Sequence, residues 1–66
     1  MNIEMVNQII DESGMKFVRA AEAMGVTTQH LYCLRTGRVK WTVNDIAAFC
    51  RAFKLTARQR TAIFLP

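Results

Sequence analysis

Behind Thr27 the chain places Gln29, Tyr32, Cys33 and Thr36 at spacings that share one side of a helix, with Thr28 at its edge and no carboxylate among them. A helix turns about 100° per residue, so Leu31 and Leu34 fall on the opposite side. A face of amide, hydroxyl, phenol and thiol groups without an acid suits contact with base edges. A Gln amide matches the N6 and N7 edge of adenine, and Thr offers a hydroxyl and a methyl that meets thymine. An acid there would repel phosphates, and a helix that is only solvated more often mixes in Glu and Asp. The plainer alternative is a helical hairpin with no ligand, and the acid-free face argues against it. Tyr32 has two readings, stacking on sugar or thymine methyl, or covering part of the domain surface.

Arg35, Arg38 and Lys40 lie in and just past the end of that helix. Placed beside a groove, such cations neutralise phosphates, release counterions and add affinity that is blind to sequence. Lys16, at the start of the preceding helix, faces the other rim. The same helix start offers unpaired N–H groups and the positive end of the helix dipole. Any one of these cations alone reads as a solvated surface charge. Their grouping around one helix is what points to a polyanion.

Other chemistries lack their residues. No nucleophile stands at a recognisable spacing from a His and an acid, and there is no phosphate-cradling glycine loop and no carboxylate dyad, so no enzyme is expected. His30 is the lone histidine and has no Cys, Asp or Glu at metal spacing on its helix, which favours a packing or phosphate-flank role. Cys33 and Cys50 show no zinc-finger spacing and read as reduced thiols, Cys33 fairly exposed and Cys50 a small core residue. Neither a metal, nor a cofactor, nor a small-molecule effector is expected. No apolar run is long enough to span a membrane and no secretory segment is visible, which together with the reduced thiols predicts a cytoplasmic protein.

The elements that must position these residues are five predicted helices in one domain, 1–66, of all-α class. Helix 1 is predicted from Ile3 to Glu12 on the recurrence of Ile3, Val6 and Ile10, with Gly14 as its left-handed stop. Helix 2 is predicted from Lys16 to Met24, where Phe17, Ala20, Ala21 and Met24 form one stripe and the alanines let a neighbour approach. Gly25 turns the chain, Thr27 caps helix 3 (Thr28 to Arg35), and Gly37 closes it. Helix 4 starts behind Thr42, with Asp45 at its third position and Ile46, Phe49, Cys50 and Phe53 on its apolar face. Trp41 is placed to pack ahead of it, under the basic loop. Helix 5 starts behind Thr56 with a capping-box pattern through Gln59. The order of helix 2, glycine turn and helix 3 describes a helix-turn-helix, which holds one helix out toward a DNA groove.

Charge supports the same direction. The chain carries nine Lys/Arg against five Asp/Glu; four of the acids lie at or before Glu22, and seven of the bases from Arg35 onward. That asymmetry favours a polyanionic partner for the second half. The small core of a 66-residue chain implies marginal stability unless a second copy adds surface.

Met15 to Gly37 resembles the helix-turn-helix of phage Cro and repressor proteins, the lambda-repressor-like or XRE group. The residues that carry the resemblance are Ala21, then Met24-Gly25-Val26-Thr27, Leu31 and Thr36-Gly37. From Trp41-Thr42 through Phe64 the chain is also similar to the last two helices of short phage regulators. The resemblance implies a compact five-helix lambda-repressor-like domain that binds a two-fold symmetric operator as a dimer and represses transcription. It places Thr28, Gln29, Tyr32 and Cys33 near base edges in the major groove, and Thr27, Thr36, Arg38 and Lys40 near the phosphate backbone. Where family members often carry a phosphate-bonding Gln, this chain has Phe17, leaving its backbone N–H to serve. Met15-Lys16 stands where a Ser/Thr cap is usual.

The apolar end Ile63-Phe64-Leu65-Pro66 admits two readings. It packs over helices 1 and 4, or part of it stays exposed and pairs with a second copy. Pairing would double the DNA footprint and set two reading helices roughly 34 Å apart, so Ile63, Phe64 and Leu65 are the expected dimer contact. Two functions compete with a specific regulator. One is a protein-interaction module such as an antirepressor, antitoxin or inhibitor, working through the apolar tail and the Tyr32 surface. The other is a protein that coats DNA without sequence preference.

Overall fold

Four of the five helices begin where a short polar side chain can replace the missing backbone acceptor. The computed structural model describes residues 1–65; Pro66, the last residue of the apolar tail, lies outside them. Five helices follow one another: α1 (Ile3–Glu12), α2 (Phe17–Met24), α3 (Thr28–Thr36), α4 (Val43–Ala52) and α5 (Ala57–Phe64), with no strand among the described residues. Asn2 caps α1, accepting the Met5 N–H at 3.1 Å. Thr27, Thr42 and Thr56 cap α3, α4 and α5. The last two are reciprocal capping boxes, closed by Asp45 and Gln59. Only α2 begins without a side-chain cap: Lys16 stands just outside it rather than inside.

The helix ends are as local as the starts. Gly25 and Gly37 take φ of 73° and 77°, and the N–H groups at and after each fold back onto the last carbonyls of α2 and α3. The same geometry ends α4 through Lys54, a non-glycine residue at φ 52°. A methyl built on Gly25 would meet no atom within 4 Å. The only penalty for a side chain there is therefore the left-handed backbone. Gly25→Ala is expected to cost about 1–2 kcal/mol, with the thermal midpoint falling about 4–8 °C per kcal/mol. Thermal melts by circular dichroism check this, and an unchanged midpoint would mean that the turn does not need glycine.

The core is one cluster: Val6 and Ile10 from α1, Ala20, Ala21 and Met24 from α2, Leu31 and Leu34 from α3, Ala48 and Phe49 from α4, and Ile63 from α5. α2 packs on α3 and α4, while α1 packs on α3 and α5. The alanine pair at 20 and 21 is fully buried, as close helix approach requires. Trp41 joins the cluster ahead of α4, its ring 5.4 Å from Phe49 and 5.6 Å from Phe64. Its indole N–H donates to the Leu34 carbonyl at 3.0 Å, tying the loop after α3 back onto that helix.

The tail divides. Ile63 is fully buried, and the Asn2 N–H donates to its carbonyl at 2.8 Å. It therefore cannot serve as a contact to a second copy, and that expectation is corrected. α5 rests on α1, and Ile63 is the residue this packing turns inward. Phe64 is half-buried against Trp41, and Leu65 is 74% exposed. Both cysteines are free and half-buried, so Cys33 is less exposed and Cys50 less buried than expected. Burial pushes the Cys50 thiol up, against the opposing pull of Arg60.

Candidate nucleic-acid interface

Leu31 and Leu34 anchor α3, each with no exposed surface. That fixes the rotation of the helix and turns Thr28, Gln29, Tyr32 and Thr36 outward, all exposed, with Cys33 half-buried beside them. Gln29 makes no side-chain hydrogen bond within the described residues, so its amide is free to pair. The Thr27 hydroxyl oxygen accepts the His30 N–H at 3.0 Å and keeps its own proton to donate. Thr36 differs. Its hydroxyl donates to the Tyr32 carbonyl at 2.9 Å, so the donor that a phosphate would need is turned back onto the helix.

The cations sort into two groups. Arg38 and Lys40 are exposed and have no acidic partner among the described residues; Arg38 also lies 5.9 Å from the Tyr32 ring centre, at the edge of the polar face. Lys16 is likewise exposed and unpaired at the start of α2. Arg35 is turned elsewhere. Its Nε donates to Asn7 Oδ1 at 2.9 Å, its NH2 group lies 3.4 Å from Asp11 Oδ1, and its guanidinium stands 5.5 Å from the Phe17 ring centre. Asn7 returns a bond from Nδ2 to the Arg35 carbonyl at 3.2 Å. Arg35 therefore braces α3 on α1 and does not join Arg38 and Lys40, because Asp11 and Asn7 offer it partners that the loop lacks. Phe17 is half-buried against the core, so only its backbone N–H is left for a phosphate.

A feature not foreseen in the sequence lies at the start of α4. Asp45 is 7% exposed, the one buried charged residue described. Its Oδ2 accepts the Thr42 N–H at 2.9 Å and the Thr42 hydroxyl at 3.0 Å, and its Oδ1 faces His30 Nε2 at 3.1 Å. The threonine-to-aspartate spacing announces the cap, but nothing local announces the histidine fifteen residues earlier. Burial, the largest single influence, pushes the Asp45 carboxyl up. The Thr42 N–H, the His30 ring and the Thr42 hydroxyl together outweigh it and hold the carboxyl below its ordinary value. The folded carboxyl thus ionises at lower pH than the unfolded one. Its stabilisation is complete above the unfolded value and is lost as pH falls through the folded one. Thermal midpoints of the native chain are expected to fall below about pH 4, and Asp45→Asn is expected to make that fall shallower. Equal acid slopes in the two proteins would assign the effect to other carboxyls.

No group of three or more His, Cys, Asp or Glu side chains that could hold a metal occurs among the described residues. None of the described helices is long and apolar enough to cross a membrane. Compared with protein-family models, curated proteins and solved structures, the chain matches none.

Proposed function

We propose that this chain is a sequence-specific DNA-binding transcriptional regulator of the lambda-repressor-like helix-turn-helix kind, with α2 and α3 as the motif and α3 in the major groove. The observation that carries the reading is the exposed face of α3. It presents Thr28, Gln29 and Tyr32 without an acid, next to the unpaired Arg38, with Lys40 unpaired in the loop that follows. Base-edge groups flanked by free cations are what direct readout and phosphate anchoring require. Thr27, Lys16 and the Phe17 N–H supply further phosphate contacts, and Arg35 acts as a brace. Two copies bind a two-fold operator, meeting through Leu65 and the open edge of Phe64. The protein works as a Cro-like phage or prophage repressor in the cytoplasm of its bacterial host.

A second reading, a protein-interaction module, is favoured by exposed apolar residues outside α3: Val43 is 81% and Leu65 74% exposed. Selection from a random duplex pool at near-physiological salt separates the two. Enrichment of a two-fold motif with half-sites about one turn apart supports the regulator. Retention of duplexes without any preferred sequence means coating of DNA, and retention of none, with folded protein, gives the weight to the protein-interaction module.

A further inference from the structure

His30 belongs to two helix starts at once. Its backbone N–H closes the α3 cap on Thr27 at 3.0 Å, and its ring Nε2 meets Asp45 Oδ1, inside the α4 capping box, at 3.1 Å. The box uses only Oδ2 of Asp45, together with the Asp45 N–H donating to the Thr42 hydroxyl at 3.1 Å. Oδ1 is thus surplus to capping; it belongs to a side chain only 9% exposed and faces a His30 side chain that is 41% exposed. A buried carboxylate oxygen without a donor is costly, so the ring is held there. Among the described residues this is the one side-chain hydrogen bond between α3 and α4, two helices that otherwise pack chiefly on α2. The far end of α3 is fixed separately, by Arg35 on Asn7 and by the Trp41 indole on the Leu34 carbonyl. The first turn of α3, which carries Thr28 and Gln29, has only the His30 link in that role.

We propose that His30 is a positioning residue for the polar face of α3: through Asp45 it locks the first helical turn to the α4 cap and so steadies Thr28 and Gln29 on the side that Leu31 and Leu34 turn outward. The consequence for binding rests on the DNA reading above, whereas the lock itself does not. His30→Ala removes the ring donor. His30→Gln restores a donor, since an amide Nε2 can reach the same oxygen.

Amide hydrogen exchange followed residue by residue tests the lock without DNA. His30→Ala is expected to speed exchange about tenfold at residue 30, Leu31 and Tyr32 while leaving Ala20, Ala21 and Phe49 unchanged, and His30→Gln to return most of the protection. No change, or an equal rise in every helix, would overturn the proposal, because the residue would then be silent or a general stabiliser. On the duplex enriched from the pool, His30→Ala is expected to cut the ratio of affinities for selected over scrambled sequence about tenfold, with His30→Gln recovering it. A local exchange effect with an unaltered ratio would overturn the role in reading. A local, rescued exchange effect in a protein that retains no duplex would sink the DNA reading and leave the lock standing.

Discussion

Replacing Phe49 with alanine is expected to remove about 3–5 kcal/mol of stability. Phe49 has no exposed surface and sits at the meeting point of three other rings. Trp41 is 5.4 Å away and nearly perpendicular, Phe53 is 4.9 Å away, and Phe64 is 6.3 Å away at 84°. These contacts join α4 to α5 and to the loop after α3. A domain of this length has a total stability of only about 3–10 kcal/mol. The variant is therefore expected to be unfolded, or to melt at least about 12 °C lower. Urea unfolding followed by Trp41 fluorescence measures it. A loss under about 1 kcal/mol would mean that the ring cluster is loosely packed, contrary to its close spacings. The variant should also loosen the basic loop, since Trp41 would lose its edge contact with Phe49 and keep only its Phe64 contact and its bond to the Leu34 carbonyl.

The parts of this molecule that were legible in the sequence are those set within a few residues. Thr27, Thr42 and Thr56 each satisfy an N–H three positions on, so the starts of α3, α4 and α5 follow from residue type and spacing, while α1 is legible from its apolar recurrence and not from its Asn2 cap. Gly25 and Gly37 end helices because the left-handed backbone is cheap for them. α2 starts one residue later and α3 ends one residue later than the apolar pattern suggests, since hydrogen bonding, not hydropathy, sets a terminus. The inward and outward sides of α3 were also legible, because Leu31 and Leu34 are the only large apolar pair at helical spacing there.

Contacts between distant segments were not legible. Arg35 reads as one cation of a basic loop until α1 brings Asn7 and Asp11 to it from 28 and 24 residues away. His30 reads as a flank residue until α4 presents the spare oxygen of Asp45. The tail shows a related limit. Three consecutive apolar residues cannot share one helix side, and which of them turns inward depends on where α1 lies. The packing selects Ile63 and leaves Leu65 outside. Each of these depends on relative helix placement, which local patterns do not encode.

Replacing Gln29 with alanine is expected to weaken binding to the duplex selected from a random pool by about 1–3 kcal/mol, roughly 5–150-fold. On scrambled duplexes the change should be small, so the preference itself declines. Leu31 and Leu34 fix the helix rotation, Gln29 stands exposed on the first turn, and its amide has no internal partner to give up. A free amide on a well-fixed helix can form a paired contact to adenine without first breaking a bond. Lys40→Ala provides the contrast. Lys40 is exposed and unpaired and belongs to the loop, not the polar face, so its loss should weaken all duplexes alike and reduce the salt slope by about one. Fluorescence anisotropy across a salt series, with selected and scrambled duplexes, measures both effects in one experiment. If Gln29→Ala leaves affinity and preference unchanged, α3 is not the reading helix, whatever Lys40 does. If Gln29→Ala instead lowers affinity equally on every duplex, the amide touches backbone rather than bases, and the preference is read by other residues.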